Sequence, residues 1–227
     1  MDDREQALSK LYEELVGCRR CPRLAAWREE VGRRKRRAYL DEEYWARPVP
    51  GFGDPKARIL IFGLAPGAHG SNRTGRMFTG DASGSFLYPA LWRAGLASRP
   101  QSTGREDDLE LFGVYITAAV RCAPPKNKPT REEFAACSYW TERELALLPN
   151  LKVYLALGRL AHDALLNHHH LVKRRYPFGH GNEHRLPGGK ILLDSYHVSR
   201  QNTQTGKLTE EMFDWILQRA KELAGLS

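Results

Sequence analysis

No stretch of this 227-residue sequence approaches the roughly 20 consecutive apolar residues of a membrane-crossing helix, which excludes a helical membrane protein. The opening MDDREQALSKLYEEL is acidic and amphipathic and lacks the apolar core of a secretory signal, so a cytoplasmic location is expected. Internal repeats and long low-complexity tracts are missing as well, which argues against a solenoid or a disordered linker protein. Cysteine is scarce, with four in the whole chain, and in a reducing compartment these are not expected to form structural disulfides. Acidic residues are the minority charge: 27 Asp and Glu face 35 Lys and Arg, a net +8. That excess favours polyanionic partners, because each phosphate contact releases counterions; a generally basic surface is the plain alternative.

What is present is an ordinary globular composition, 41% hydrophobic and 27% charged, in a length that suits one domain spanning residues 1–227. Residues 3–16 read as an amphipathic helix, with Ala7, Leu8, Leu11, Leu15 and Val16 near one face. Pro22 closes off the segment that follows, Arg33–Arg37 reads as a charged arm, and Trp45–Pro55 as a Pro/Gly-rich crossing. Four short apolar runs then read as buried parallel strands: Arg58–Gly63, Val114–Val120, Lys152–Gly158 and Lys190–Tyr196. Helical patterns separate or follow them at Ala82–Ala94, Thr130–Leu148, Arg159–Asn167 and Leu208–Leu223; Thr130 and Glu133 have the spacing of a capping box. Alternating strands and helices predict an α/β sandwich around a parallel sheet, with its ligand site beyond the carboxyl ends of the strands. Three polar or glycine-rich segments fall there: Leu64–Asp81, Arg121–Pro129 and His197–Gly206.

Cys18 and Cys21 form a CxxC pair, Cys122 follows the second strand directly, and Cys137 lies on the next helix. Such a thiolate quartet suits an iron–sulfur cluster or a tetrahedral zinc, and spacing alone does not choose between them.

The segments GLAPGAHGSNRTGRMFTGD at Gly63–Asp81, VYITAAVRCAPP at Val114–Pro125 and HVSRQNTQTG at His197–Gly206 resemble the family 5 uracil-DNA glycosylases of bacteria and archaea. The likeness runs from the CxxC through PVPGFGDP to the last of these segments, nearly the whole chain. It implies the uracil-DNA glycosylase fold, a three-layer sandwich with a central four-stranded parallel sheet, and a 4Fe–4S cluster on Cys18, Cys21, Cys122 and Cys137. It also implies a monofunctional enzyme that flips a damaged base out of DNA and hydrolyses its N-glycosidic bond, without a covalent lysine intermediate.

By the same resemblance Phe78 stacks on the flipped base, and His197 donates a hydrogen bond to uracil O2 as negative charge develops there. Gly63, Pro66, Gly67 and Gly70 permit a tight turn whose peptide N–H groups point at the base or at phosphate, and Ala65 joins Gly63, Pro66 and Gly67 as a base-binding candidate. Asp81 is the candidate for positioning water or steadying the sugar cation, and equally a candidate helix N-cap; Asn127 is a second catalytic candidate. Leu64 stands where other glycosylase families place an acidic or amide residue, and cannot activate water. Ala118 stands where related four-cysteine glycosylases carry an asparagine that reads the uracil edge, which implies tolerance of hypoxanthine or an exocyclic cytosine adduct. Ser199, Arg200, Gln201, Asn202 and Thr203 read as a polar loop that grips DNA. A sliding clamp or repair polymerase is a possible partner, and the chain is expected to act as a monomer.

His168–His170 with His162 read as decoration of a helix end rather than a metal site. The competing function is a non-catalytic, metal-stapled nucleic-acid-binding module, which would have no use for the Phe78 and His197 motifs.

Overall fold

The computed structural model describes residues 3–226. Among these residues six strands form one mixed sheet: β1 (Phe52–Gly53), β2 (Ile59–Gly63), β3 (Val114–Ala118), β4 (Val153–Leu157), β5 (Glu183–Arg185) and β6 (Ile191–Ser195), in the order β1-β3-β2-β4-β6-β5. The inner four are the apolar runs predicted from the sequence, and they pair in parallel. Apolar residues occupy both faces: Ile59 and Ile61 enter one core, Leu60 and Phe62 the other. A strand buried on both sides has no polar alternation, which is why these four were legible. The short edge strands β1 and β5 pair antiparallel and were not expected, because neither carries an apolar pattern.

Among the described residues eight α-helices accompany the sheet: α1 (Asp3–Val16), α2 (Pro22–Arg34), α3 (Ser71–Thr74), α4 (Ala82–Arg93), α5 (Arg131–Ala146), α6 (Arg159–His168), α7 (Arg200–Gln204) and α8 (Glu210–Ala224). Buried residues of α4 and α8 cover one face of the sheet, and those of α1 and α6 cover the other, with α5 packed against α1 and α6. The capping box forms: Thr130 Oγ1 accepts from Glu133 N, and Glu133 Oε2 accepts from Thr130 N.

Three readings need correction. Pro22 does not end a segment but opens α2, where its missing N–H leaves no bond unmade. Arg33 and Arg34 complete that helix and pair with Glu30, so the charged arm is in part a helix end. The polar stretch after His197 is not a loop, since Arg200–Gln204 forms α7.

The chain steps from β2 outward to β3, then crosses back over β2 to β4 and on to β6. The strand order therefore reverses between β2 and β4, and a crevice opens at their carboxyl ends.

Candidate active site

The cleft at this switch point encloses about 290 Å³ and is lined by segments from across the chain. Ala65 and Gly67 come from the turn after β2, Phe78 and Asp81 from the approach to α4, Ala118 from the end of β3, Asn127 from the next loop, and His197 and Ser199 from the segment after β6. Leu64, Ser71, Met77 and Ser83 complete the lining. Of these four, Leu64, Ser71 and Met77 lay inside the motif already singled out, but nothing local marks which of its residues face inward.

Phe78 is held in a left-handed backbone conformation, with φ of +52°, which a bulky residue adopts only when its surroundings impose it. Gly84 is part of that imposition: a Cβ there would sit 1.8 Å from the Phe78 carbonyl oxygen. Tyr88 adds a buried hydrogen bond from its hydroxyl to the Met77 carbonyl at 2.7 Å. Gly63 is needed for a related reason, since a Cβ on it would stand 2.8 Å from Phe78 Cζ. The tip of the aromatic ring thus abuts Gly63, and Gly63 and Pro66 are both buried, whereas Ala65 and Gly67 line the cleft.

The His197 ring lies across from Phe78, with centroids 6.3 Å apart and planes inclined by 37°. Burial pushes its pKa down to about 4, so the imidazole is neutral at physiological pH. Its ring nitrogens make no hydrogen bond among the described residues, while its carbonyl accepts from Asn202 Nδ2 at 2.8 Å. Asp81 divides its carboxylate. Oδ1 caps α4, accepting from Ser83 N at 3.0 Å and Gly84 N at 3.2 Å, and Oδ2 lies against Gly67 and Gly70. Burial raises the pKa of Asp81, and the two backbone donors and Arg73 oppose that rise. Asn127 is exposed at the rim and, with Lys126, forms two consecutive left-handed residues, φ +56° and +53°. Ala118 is buried at the floor beside its register partner Gly63.

On α7, Arg200 and Gln201 are exposed, whereas Asn202 and Thr203 turn back on the chain; Thr203 Oγ1 donates to the Ser199 carbonyl at 3.3 Å. His162 corrects another reading. It stands in the first turn of α6 but is no surface decoration: it is 1% exposed, its Nδ1 2.7 Å from Asp194 Oδ1 and its Nε2 2.9 Å from the Tyr176 carbonyl.

Beside the cleft, Cys18, Cys21, Cys122 and Cys137 line one cavity together with Leu15, Leu24, Arg28 and Trp140. Backbone and side-chain donors point at the sulfurs: Arg28 Nη1 to Cys122 at 2.8 Å, Trp140 Nε1 to Cys18 at 3.3 Å, and Arg121 N to Cys137 at 3.3 Å. Burial raises the thiol pKa of Cys122 to about 11 and of Cys137 to about 12. Among the described residues, His162, His184 and Asp194 bring three ligand atoms within 4.8 Å of one another.

A doubly wound sheet whose switch-point cleft sets an aromatic ring opposite a neutral imidazole and beside a carboxylate is the site of an α/β enzyme for a flat, polar ring. The particular family follows from comparison. The uracil DNA glycosylase superfamily model matches residues 50–221, and the chain belongs to that superfamily. It is 69% identical over 214 residues to the Type-5 uracil-DNA glycosylase of Thermus thermophilus, an alignment covering 94% of this chain and 97% of that protein. Its identity to the Type-5 uracil-DNA glycosylase of Mycobacterium leprae is 49%, covering 97% of each. The Type-4 uracil-DNA glycosylase of Archaeoglobus fulgidus is more distant, 32% identical over 71% of this chain and 65% of its own length.

Proposed function

We propose that this chain is a monofunctional DNA glycosylase that flips uracil out of DNA and hydrolyses its N-glycosidic bond in base-excision repair. The observation that carries this reading is the convergence of Phe78, His197 and Asp81, from segments more than a hundred residues apart, on one cleft.

A flipped base stacks on Phe78, a contact worth about 1–3 kcal/mol. When the bond between base and deoxyribose breaks, its electron pair leaves with the base and positive charge remains on the sugar. His197, neutral at its nitrogens, donates a ring N–H to the base O2 as negative charge gathers there, a role worth about 2.7–4 kcal/mol in the barrier. Asp81, its Oδ1 held by the helix cap, offers a charge to steady the sugar cation and to orient the water that bonds to the anomeric carbon. Asn127 takes the second catalytic position at the rim. Ala118 leaves the floor without an amide, which admits hypoxanthine or an exocyclic cytosine adduct besides uracil. Ser199, Arg200 and Gln201 meet the DNA backbone, with Asn202 and Thr203 holding the short helix from inside. The protein works as a monomer, with a sliding clamp or repair polymerase as a partner in the repair that follows.

The four cysteines, which line one cavity with three N–H donors aimed at their sulfurs, fit a 4Fe–4S cluster. Cys18, Cys21, Cys122 and Cys137 would hold the cluster, which would tie the α1–α2 junction to the end of β3 and to α5 and supply a one-electron centre.

The test is a panel of single-lesion duplexes under saturating enzyme, with abasic products cleaved by alkali. Wild type should cleave the uracil duplex, and His197→Ala should cut its rate about 100- to 1,000-fold with affinity nearly unchanged. Cleavage within a few-fold of wild type would remove His197 from the chemistry.

A further inference from the structure

The cysteine cavity holds a buried cation whose one carboxylate partner lies at the edge of reach and is shared with another arginine. Arg28, on α2, is 3% exposed. Its Nη1 donates to Cys122 Sγ at 2.8 Å and its Nη2 to the Cys18 carbonyl at 3.1 Å, and its Nε is buried without a partner. Among the described residues its one carboxylate within reach is Glu29, at 3.8 Å, and that carboxylate is already held by Arg19 at the surface. The contrast with Arg121 is informative. That guanidinium is also buried, but it pairs with Glu144, and both are 1% exposed. A buried guanidinium against a neutral thiol and a carbonyl is strongly unfavourable; against a metal-bound thiolate it becomes a charge pair.

We propose that Arg28 is the counter-ion of the iron–sulfur cluster, the buried cation that offsets the excess negative charge of four thiolates around the core. The proposal rests on the cluster reading above. A fixed positive charge at this distance favours the added electron of the reduced state, so Arg28 raises the reduction potential, and it also opposes loss of the core. Its backbone links the cluster to the active site: the Arg28 carbonyl accepts from Asn72 Nδ2 at 3.2 Å. Asn72 is fully buried in α3 beside Ser71, which lines the cleft. Losing the cluster therefore leaves an unpaired charge where α2 braces the cleft loop.

The experiment compares iron-loaded wild type with Arg28→Gln, which keeps a donor without the charge, and Arg28→Lys, which keeps the charge without the fork. Readouts are iron content with visible absorption, the midpoint potential by film voltammetry, and iron release to a chelator in air. Arg28→Gln should shift the potential to more negative values and release iron about 10- to 100-fold faster, the usual cost of losing a partner of a metal ligand. Arg28→Lys should stay near the wild-type potential. An Arg28→Gln protein matching wild type in potential and in iron release overturns the proposal while leaving the cluster in place. A wild type that stays colourless and iron-free after reconstitution sinks the cluster reading, and this one with it. Should Arg28→Gln fail to fold, reduced wild type carrying guanidinium-¹⁵N arginine decides the matter. A hyperfine-coupled ¹⁵N absent from Arg28→Lys supports the assignment, and its absence from wild type overturns it.

Discussion

Asp81 has a structural duty and a proposed chemical one, and two substitutions separate them. The structural duty is the cap on α4, made by Oδ1 with the amides of Ser83 and Gly84 at 3.0 and 3.2 Å. Replacing a capping Asp by Ala costs about 1 kcal/mol, which for a chain of this size lowers Tm by roughly 2–4 °C. Asp81→Asn keeps an acceptor oxygen for the cap, removes the charge and puts an amide NH2 where Oδ2 stands. Burial raises the Asp81 pKa above its ordinary 3.8. A folded pKa above the unfolded one means that stability is lost as pH rises through that range, so at pH 7 the ionised carboxylate costs stability. Asp81→Asn should therefore melt no lower than wild type at pH 7, while Asp81→Ala melts roughly 2–4 °C lower. Activity should sort them differently. If the charge steadies the sugar cation or orients water, both variants lose about 100-fold or more in single-turnover cleavage of every accepted base, by a similar factor for each. A thermal melt and a quenched single-turnover assay on the same preparations give both numbers. An Asp81→Asn protein as fast as wild type would refute the catalytic assignment and leave Asp81 a helix cap alone.

Three further outcomes are expected. His197, with a pKa near 4 against an ordinary 6.5, should stay neutral through pH 5 in a ¹⁵N NMR titration. The unfolded histidine takes up a proton that the folded one refuses, so this residue's contribution to stability falls as pH drops from about 6.5 to about 4; a midpoint near 6.5 would contradict the burial argument. Ala118→Asn should raise the preference for uracil over hypoxanthine or an exocyclic adduct, mainly by suppressing the larger bases, and a uniform loss across lesions would show that residue 118 does not face the base edge. Arg200→Ala should weaken binding to every DNA sequence and flatten the salt dependence by about one ion, and an unchanged slope in a salt titration would remove Arg200 from the phosphate contacts.

Much of this was legible before any coordinates, and the reason differs from element to element. The inner strands announced themselves because apolar residues on both faces can only be buried between two layers. Thr130 with Glu133 was readable because a capping box is closed by residues three apart. The motifs around Phe78 and His197 were readable through resemblance, and the cleft does collect them. The edge strands were not, since β1 and β5 are strands by virtue of the neighbours they pair with, not of their own residues. Helix α2 was missed because a proline after a CxxC reads as a stop as easily as a first helical turn.

What the sequence by itself determined, then, is what local chemistry and burial on two faces dictate: the inner sheet, the caps, the four thiols and the order of the motifs. The tertiary structure alone decided orientation and charge. It turned Asn202 inward to the His197 carbonyl when its loop-like context suggested DNA. It set Gly63 against the tip of the Phe78 ring, and buried His162 against Asp194. It also depressed the His197 pKa and left Arg28 facing a sulfur, because desolvation and the nearest counter-charge are properties of packing that no run of neighbouring residues encodes.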